Sequence, residues 1–348
     1  MKIKNINIGI NYPPIIIAEM SGNHNQSLKN AIKIVEKAKK CGLKFLKIQT
    51  YTPDTITLKS NRKDFFIRDK KNIWYGQSLY NLYKKAYTPW EWHEAIFKRA
   101  KELGIICFST PFDPSSVDFL ESLKVPAYKI ASFEITDFPL IKKVAQTNKP
   151  IILSTGMASK NEIAEAIDLI KKSGNSSYAI LKCTSSYPAD PKNINLKTII
   201  DMRKKFKCEV GLSDHTLGIG VAIASIPFKT TIIEKHFTLN RRNGGVDSKF
   251  SIEPDEMMKL VNEVNSAWKS IGKIKYGCTE SEKKSLNHRK SIYITKDMKK
   301  GEIITQKNIK VIRPAFGLHS KYFDKVIGSK LIKNAKSGTA LKWKLIKK

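Results

Sequence analysis

Apolar runs of strand length recur at regular intervals through the first three-quarters of this chain, at positions 15–21, 45–50, 106–110, 127–133, 151–155, 179–184, 210–215 and 231–237. Each run is continuously apolar rather than alternating, the pattern of a strand covered on both faces. Between them lie amphipathic stretches with helical spacing, such as 28–40, 90–103, 162–173 and 255–271. Eight strand–helix units in about 270 residues is the arithmetic of a TIM (β/α)8 barrel. An open doubly wound sheet uses the same units, but no Gly-rich phosphate fingerprint follows the first strand.

One connection, 51–88, is long and rich in Tyr, Trp, Asn and charge. It falls on the side where barrels place their active sites and is expected to act as a lid or a substrate-contacting loop. After about position 285 the pattern changes to short strands and tight turns, marked by Lys300-Gly301, Pro314 and Gly317. The expected organisation is α/β: a barrel over 1–276, a polar linker at 277–285 and a small β-rich domain over 286–348. The tail alone would have a marginal core, so it is expected to pack on a barrel, its own or a neighbour's.

The net charge of +32 invites a nucleic-acid partner. Yet only 8 of the 63 basic residues are arginine, and the lysines spread along the polar faces of the expected helices. Base readers and phosphate clamps cluster arginine. A nucleic-acid-binding protein is therefore the remote alternative; an anionic small substrate would benefit from the same field. The longest apolar run near the start, 15–18, follows two prolines and leads into Glu19, unlike a secretory leader. No stretch is long enough to span a membrane. Five cysteines without CxxC spacing suit a reduced, cytoplasmic protein.

Chemistry gathers where the strands end. GLSDHT carries His215 and IIEKHF carries His236. Strand alternation puts Ser213 with His215, and Glu234 with His236, while Lys235 points the other way. Two imidazoles leave most coordination positions of a metal to water or substrate oxygens, which suits a Lewis acid. The other strand ends offer Glu19; Lys47 and Gln49; Thr110; Lys129, Ser132 and Glu134; Ser154; and Ser185 and Tyr187. Any single Ser or Thr here reads equally well as a turn or cap residue. The whole set is costly at an apolar barrel mouth unless something binds it. Two lysines with hydroxyls suit a carboxylated, phosphorylated anion, and acids beside a metal suit carbonyl polarisation and proton transfer. That combination suggests phosphoenolpyruvate adding as a carbon nucleophile to an aldehyde.

The runs IIIAEMSGNHN, KIQTYTPDT, FSTPFD, YKIASFE, ILSTGMAS, LKCTSSYP, VGLSDHTLG and IEKHFTL resemble the sialic acid synthase family, in order and nearly end to end. IRPAFGLHS resembles that family's small C-terminal antifreeze-like (SAF, β-clip) domain. SLYNLYKKAYTPWEWH, VDSKFS and RPAFGLHSKYF are most similar to the pseudaminic acid branch, whereas the GSGE and GPDH runs of the N-acetylneuraminate branch are missing. The resemblance implies a transferase that joins phosphoenolpyruvate to 2,4-diacetamido-2,4,6-trideoxy-L-altrose. An N-acetylneuraminate or legionaminate synthase would perform the same chemistry on another sugar. It further implies Mn2+, with Mg2+ or Co2+ as alternatives, on His215 and His236. Phosphoenolpyruvate would lie on Lys47, Thr110, Lys129, Ser132, Ser154, Ser185 and Ser213. Gln49, Tyr187 and Asp247 would face the amino sugar. Glu19 and Glu134 would be the acid–base carboxylates, with Glu234 beside them. Arg313 would reach the barrel of a second subunit in a domain-swapped homodimer.

Overall fold

Eight strands carry the architecture: β1 (Ile15–Glu19), β2 (Phe45–Thr50), β3 (Ile106–Pro111), β4 (Tyr128–Ile130), β5 (Ile151–Ser154), β6 (Tyr178–Cys183), β7 (Glu209–Asp214) and β8 (Ile232–His236). Neighbours run parallel in chain order, and β8 pairs with both β7 and β1, so the sheet closes into a barrel. The structure, a computed structural model, describes residues 1–347. It divides into two compact units, Met1–Gly272 and Lys273–Lys348.

The helices after the strands are α1 (Leu28–Lys40), α2 (His93–Glu102), α3 (Pro114–Ser122), α4 (Phe138–Gln146), α5 (Lys160–Lys172), α6 (Thr198–Phe206), α7 (Gly220–Ala224) and α8 (Pro254–Ile271). Local sequence sets their starts. Ser27 caps α1 by accepting from the Asn30 amide, Asp113 caps α3, and Ser159 with Glu162 forms a capping box on α5.

Alternation along the strands makes the barrel a container with an apolar floor and a polar mouth. Ile15, Ile17, Phe45, Ile106, Phe108, Ala127, Ile152, Ala179, Leu181 and Ile232 fill the interior, joined by Ile3 and Ile8 from the N-terminal ribbon of Lys2–Ile3 and Ile6–Asn7. The intervening positions, such as Ala18, Leu46, Ile48 and Ile233, face outward and pack under the helices. Continuing the inward series two residues further on each strand replaces the apolar side chain with Glu19, Lys47, Thr110, Lys129, Ser154, Cys183, Ser213 and Glu234.

The long 51–88 connection is not an irregular loop throughout. It holds a short helix at Pro53–Ile56 and a second at Leu79–Ala86, capped by Ser78. Gly22 sits so close to this second helix that an added Cβ would lie 3.0 Å from the Ala86 Cα.

The second unit is built on β9 (Ser291–Ile294) antiparallel to β10 (Ile309–Ile312), with Lys330–Leu331 paired to Ile346–Lys347. Its core includes Ile292, Ile294, Ile304, Ile309, Val326, Leu331 and Leu341. The stretch read as a polar linker, 277–285, runs into a 3-10 helix over Glu280–His288. A Thr279–Glu282 capping box starts that helix, so polar composition there marks exposure rather than lack of structure. Among the described residues no helix is long and apolar enough to cross a membrane.

Candidate active site

Two buried lysines dominate the barrel mouth. Lys47 pairs with Glu19 and donates to Thr110 Oγ1 at 2.9 Å. Lys129 donates to Ser154 Oγ at 2.6 Å and to the Ile130 carbonyl at 3.1 Å. Glu234 lies between them, with Oε1 3.9 Å from Lys47 Nζ and 3.7 Å from Lys129 Nζ. Ser213 Oγ donates to the same Glu234 oxygen at 3.4 Å. Exposure of only 3% at Lys47 and 2% at Lys129 means that these charges rely on each other rather than on water.

Burial and neighbours push the carboxylates apart. Burial raises Glu19 to about 7, with Lys47 opposing it, and burial raises Glu134 to about 7 against the pull of Lys129. Burial also works against ionised Glu234, but Lys129 and Lys47 outweigh it and hold that group below its usual value. The site therefore offers one fixed anion and two groups poised to exchange protons near neutrality. Several acceptor atoms have no partner, among them Glu19 Oε1, Glu134 Oε2 and Glu234 Oε2.

The hydroxyls form a hollow beside Lys129. Ser132 Oγ accepts from the Gly156 amide at 3.0 Å. A Cβ added to Gly156 would lie 2.8 Å from Ser132 Oγ and would overlap Ser185 Oγ. Only glycine leaves that space free.

His215 and His236 meet across the ends of β7 and β8, with ring centroids 5.3 Å apart. His215 Nδ1 is nearer to the Thr184 carbonyl, at 3.0 Å, than to Cys183 Sγ, at 3.9 Å. A proton on Nδ1 shared with that carbonyl leaves Nε2 as a free lone pair. Burial pushes His236 well below its usual pKa, so it is neutral, and its Nδ1 has no hydrogen-bond partner. Among the described residues no group of three or more His, Cys, Asp or Glu forms an ion cage. Burial disfavours charge on His215, but Cys183 and the Thr184 carbonyl outweigh it and raise its pKa. Once His215 gives up that proton, the two imidazoles beside unpartnered carboxylate oxygens fit a divalent ion that takes its remaining ligands from water and substrate.

An aromatic wall faces the histidines. The Tyr187 ring lies 4.5 Å from His215 and 5.1 Å from Phe250, and Trp74 from the long connection lies 5.8 Å from Tyr187. Trp74 Nε1 donates to the Val246 carbonyl at 3.0 Å, tying that connection to the segment after β8. Asp247 accepts from Ser21 Oγ and comes 3.7 Å from His236 Nδ1. Gln49 is half-buried at the end of β2, in register with Thr110.

The barrel thus brings together every residue expected at the site except Arg313, which is exposed in the second unit just after β10. Sequence reasoning missed Trp74, Phe250, Gly156 and Cys183. The first two had only loop composition to mark them, and the role of Gly156 depends on serines from two other strands. Ser109, also at a strand end, faces outward instead, 2.6 Å from Thr50 Oγ1.

Two buried lysines compensated by carboxylates, with a histidine pair alongside at the mouth of a closed barrel, define an enzyme-like site suited to small anionic substrates. The chain belongs to the NeuB family, whose profile matches residues 34–276, and the SAF domain profile matches residues 289–347. It is 43% identical over 327 residues to the pseudaminic acid synthase of Campylobacter jejuni, covering 94% of this chain and 95% of that one. It is 37% identical over 326 residues to the N,N'-diacetyllegionaminic acid synthase of the same species, covering 92% and 97%. Among solved structures it is similar to the N-acetylneuraminic acid synthetase of Leptospira borgpetersenii. That pair has a TM-score of 0.71 and 31% identity, covering 82% of this chain and 94% of the other.

Proposed function

We propose that this chain condenses phosphoenolpyruvate with 2,4-diacetamido-2,4,6-trideoxy-L-altrose, giving the nine-carbon pseudaminic acid and inorganic phosphate. The observation that carries the reading is the buried Lys47–Glu19 and Lys129–Glu234 arrangement beside the histidine pair. Such a pair of internally compensated ammonium groups suits a substrate bearing both a carboxylate and a phosphate. The identity to the Campylobacter jejuni pseudaminic acid synthase supports that sugar over its relatives.

Lys47, Lys129 and the hydroxyls of Thr110, Ser132, Ser154, Ser185 and Ser213 bind phosphoenolpyruvate and fix its enol face. Gln49, Tyr187 and Asp247 orient the open-chain sugar so that its aldehyde carbon meets the enol C3. His215 and His236 would hold a divalent ion, Mn2+ or else Mg2+ or Co2+, which supplies Lewis-acid polarisation of the aldehyde. As the carbon–carbon bond forms, positive charge grows at C2, and the Glu234 carboxylate favours it. Water then adds to C2. Glu19 and Glu134, both near 7, take the proton from that water and supply one to the new alkoxide. Cleavage of the C2–O bond releases phosphate and leaves the keto acid.

The working form in this reading is a cytoplasmic homodimer in which Arg313 of one copy reaches the sugar bound in the barrel of the other. The resemblance of IRPAFGLHS to the family's tail supports this, as does the exposure of Arg313.

Phosphate release from the purified chain, supplied with phosphoenolpyruvate, Mn2+ and each of three sugars in turn, tests the proposal. Release is expected with the diacetamido-altrose and not with N-acetylmannosamine or the legionaminate precursor. Release with one of the latter alone would reassign the substrate.

A further inference from the structure

Between the residues that face the barrel mouth, β7 and β8 carry a second polar pair on their outer faces. Lys235 stands between Glu234 and His236, and Asp214 stands between Ser213 and His215; the two are in register across the strands. Lys235 Nζ donates to Asp214 Oδ2 at 2.7 Å and to the Thr216 carbonyl at 2.7 Å. The other Asp214 oxygen accepts from the Thr216 amide at 2.9 Å and from Thr216 Oγ1 at 2.7 Å. Both charges are fully buried among helix-packing residues, Lys235 at 0% exposure and Asp214 at 1%. At such a place a pair of apolar side chains would serve stability as well or better, because two ions must be stripped of water. What the ion pair adds is direction. Its bonds hold the Asp214 side chain and the Thr216 backbone, the residues on either side of His215, and join them to the residue preceding His236.

We propose that Lys235 and Asp214 are positioning residues which, by locking the exits of β7 and β8 together from behind, set the spacing of the His215 and His236 rings. The inference rests on the reading of those rings as ligands to a divalent ion. Neither residue touches substrate or ion; each acts through the backbone that carries a histidine.

The test replaces the pair by apolar residues of similar length in the double variant Asp214→Leu/Lys235→Met. Mn2+ binding is measured without turnover, from the free-ion signal in electron paramagnetic resonance, beside thermal unfolding of the same samples. The expected result is a folded barrel with an unfolding temperature near that of the parent. Mn2+ affinity falls at least about tenfold, the range for disturbed outer-sphere support, and kcat falls while the KM for phosphoenolpyruvate stays within about twofold. Parent-like Mn2+ affinity in the folded double variant overturns the positioning role and leaves the ligand reading standing. Failure of the parent chain itself to bind Mn2+, Mg2+ or Co2+ overturns both. Should the double variant not fold, Thr216→Val decides. It deletes one grip on Asp214 and keeps both charges, and a few-fold loss of Mn2+ affinity is expected; an unchanged affinity overturns the role.

Discussion

At the scale of single residues, the site works by holding charge where water cannot relax it. Glu134 illustrates the cost. Its carboxyl sits at about 7 in the folded chain against an ordinary value of 4.5, so the folded state prefers the protonated form. Its favourable contribution is intact below about pH 4.5 and is lost as pH rises through 7. That is the direction required of a group whose folded value is raised. The loss amounts to roughly 3–4 kcal/mol. Glu134→Gln imitates the neutral acid and does not suffer it. The variant should therefore unfold at a higher temperature than the parent at pH 8 and at nearly the same temperature at pH 4. A constant difference across that range would mean that Glu134 is not strained by ionisation. In the proposed mechanism the same substitution removes a proton carrier, so activity should fall although stability rises, a trade expected at a site that stores unfavourable electrostatics.

At the scale of elements, a strand delivers a functional group by ending at the right place. Gly156 lies just beyond β5, where its missing side chain leaves room between Ser132 and Ser185. Its φ is outside the left-handed region, so the backbone accepts alanine, but the added Cβ would displace the Ser185 and Ser132 hydroxyls. Gly156→Ala should raise the KM for phosphoenolpyruvate by about tenfold or more and cost about 1–3 kcal/mol of stability as the two serines are pushed aside. An unchanged KM would remove the hollow from the substrate site. Much of this element-level design was legible beforehand. Continuous apolarity marked all eight strands, and two-residue alternation placed Lys47, Glu234 and His236 inward, because a barrel strand has only two faces. What stayed hidden depends on separation in sequence. Trp74 meets Tyr187 and Val246 only after a long connection folds back. Lys235 and Asp214 lie on different strands, and only the register shows them opposite each other. The 3-10 helix at Glu280–His288 was masked by polar composition, although its Thr279–Glu282 capping box lay in plain view.

At the scale of the whole molecule, the chain has two units and a large positive charge, and both bear on how copies meet. A charge of +32 disfavours association through bare lysine-rich surfaces, so a homodimer needs a specific, directional contact. Arg313, one of only 8 arginines, is exposed beside a proline in the second unit, and in the proposed dimer it enters the other copy's barrel. That arrangement has a consequence no monomer can imitate. His236→Ala destroys the barrel site but keeps a sound tail, whereas Arg313→Ala keeps a sound barrel but lacks the arginine. Each homodimer should be nearly inactive at low sugar concentration. After exchange of subunits, half of the dimers are mixed, and each contains one barrel with both its histidines and the partner's arginine. Activity should return to about a quarter of the parent's, following from twofold symmetry alone. If the arginine served its own barrel, mixing would restore nothing, because each chain would carry its defect in the site it serves. Phosphate release from the mixed sample, compared with the two variants assayed separately, distinguishes the arrangements.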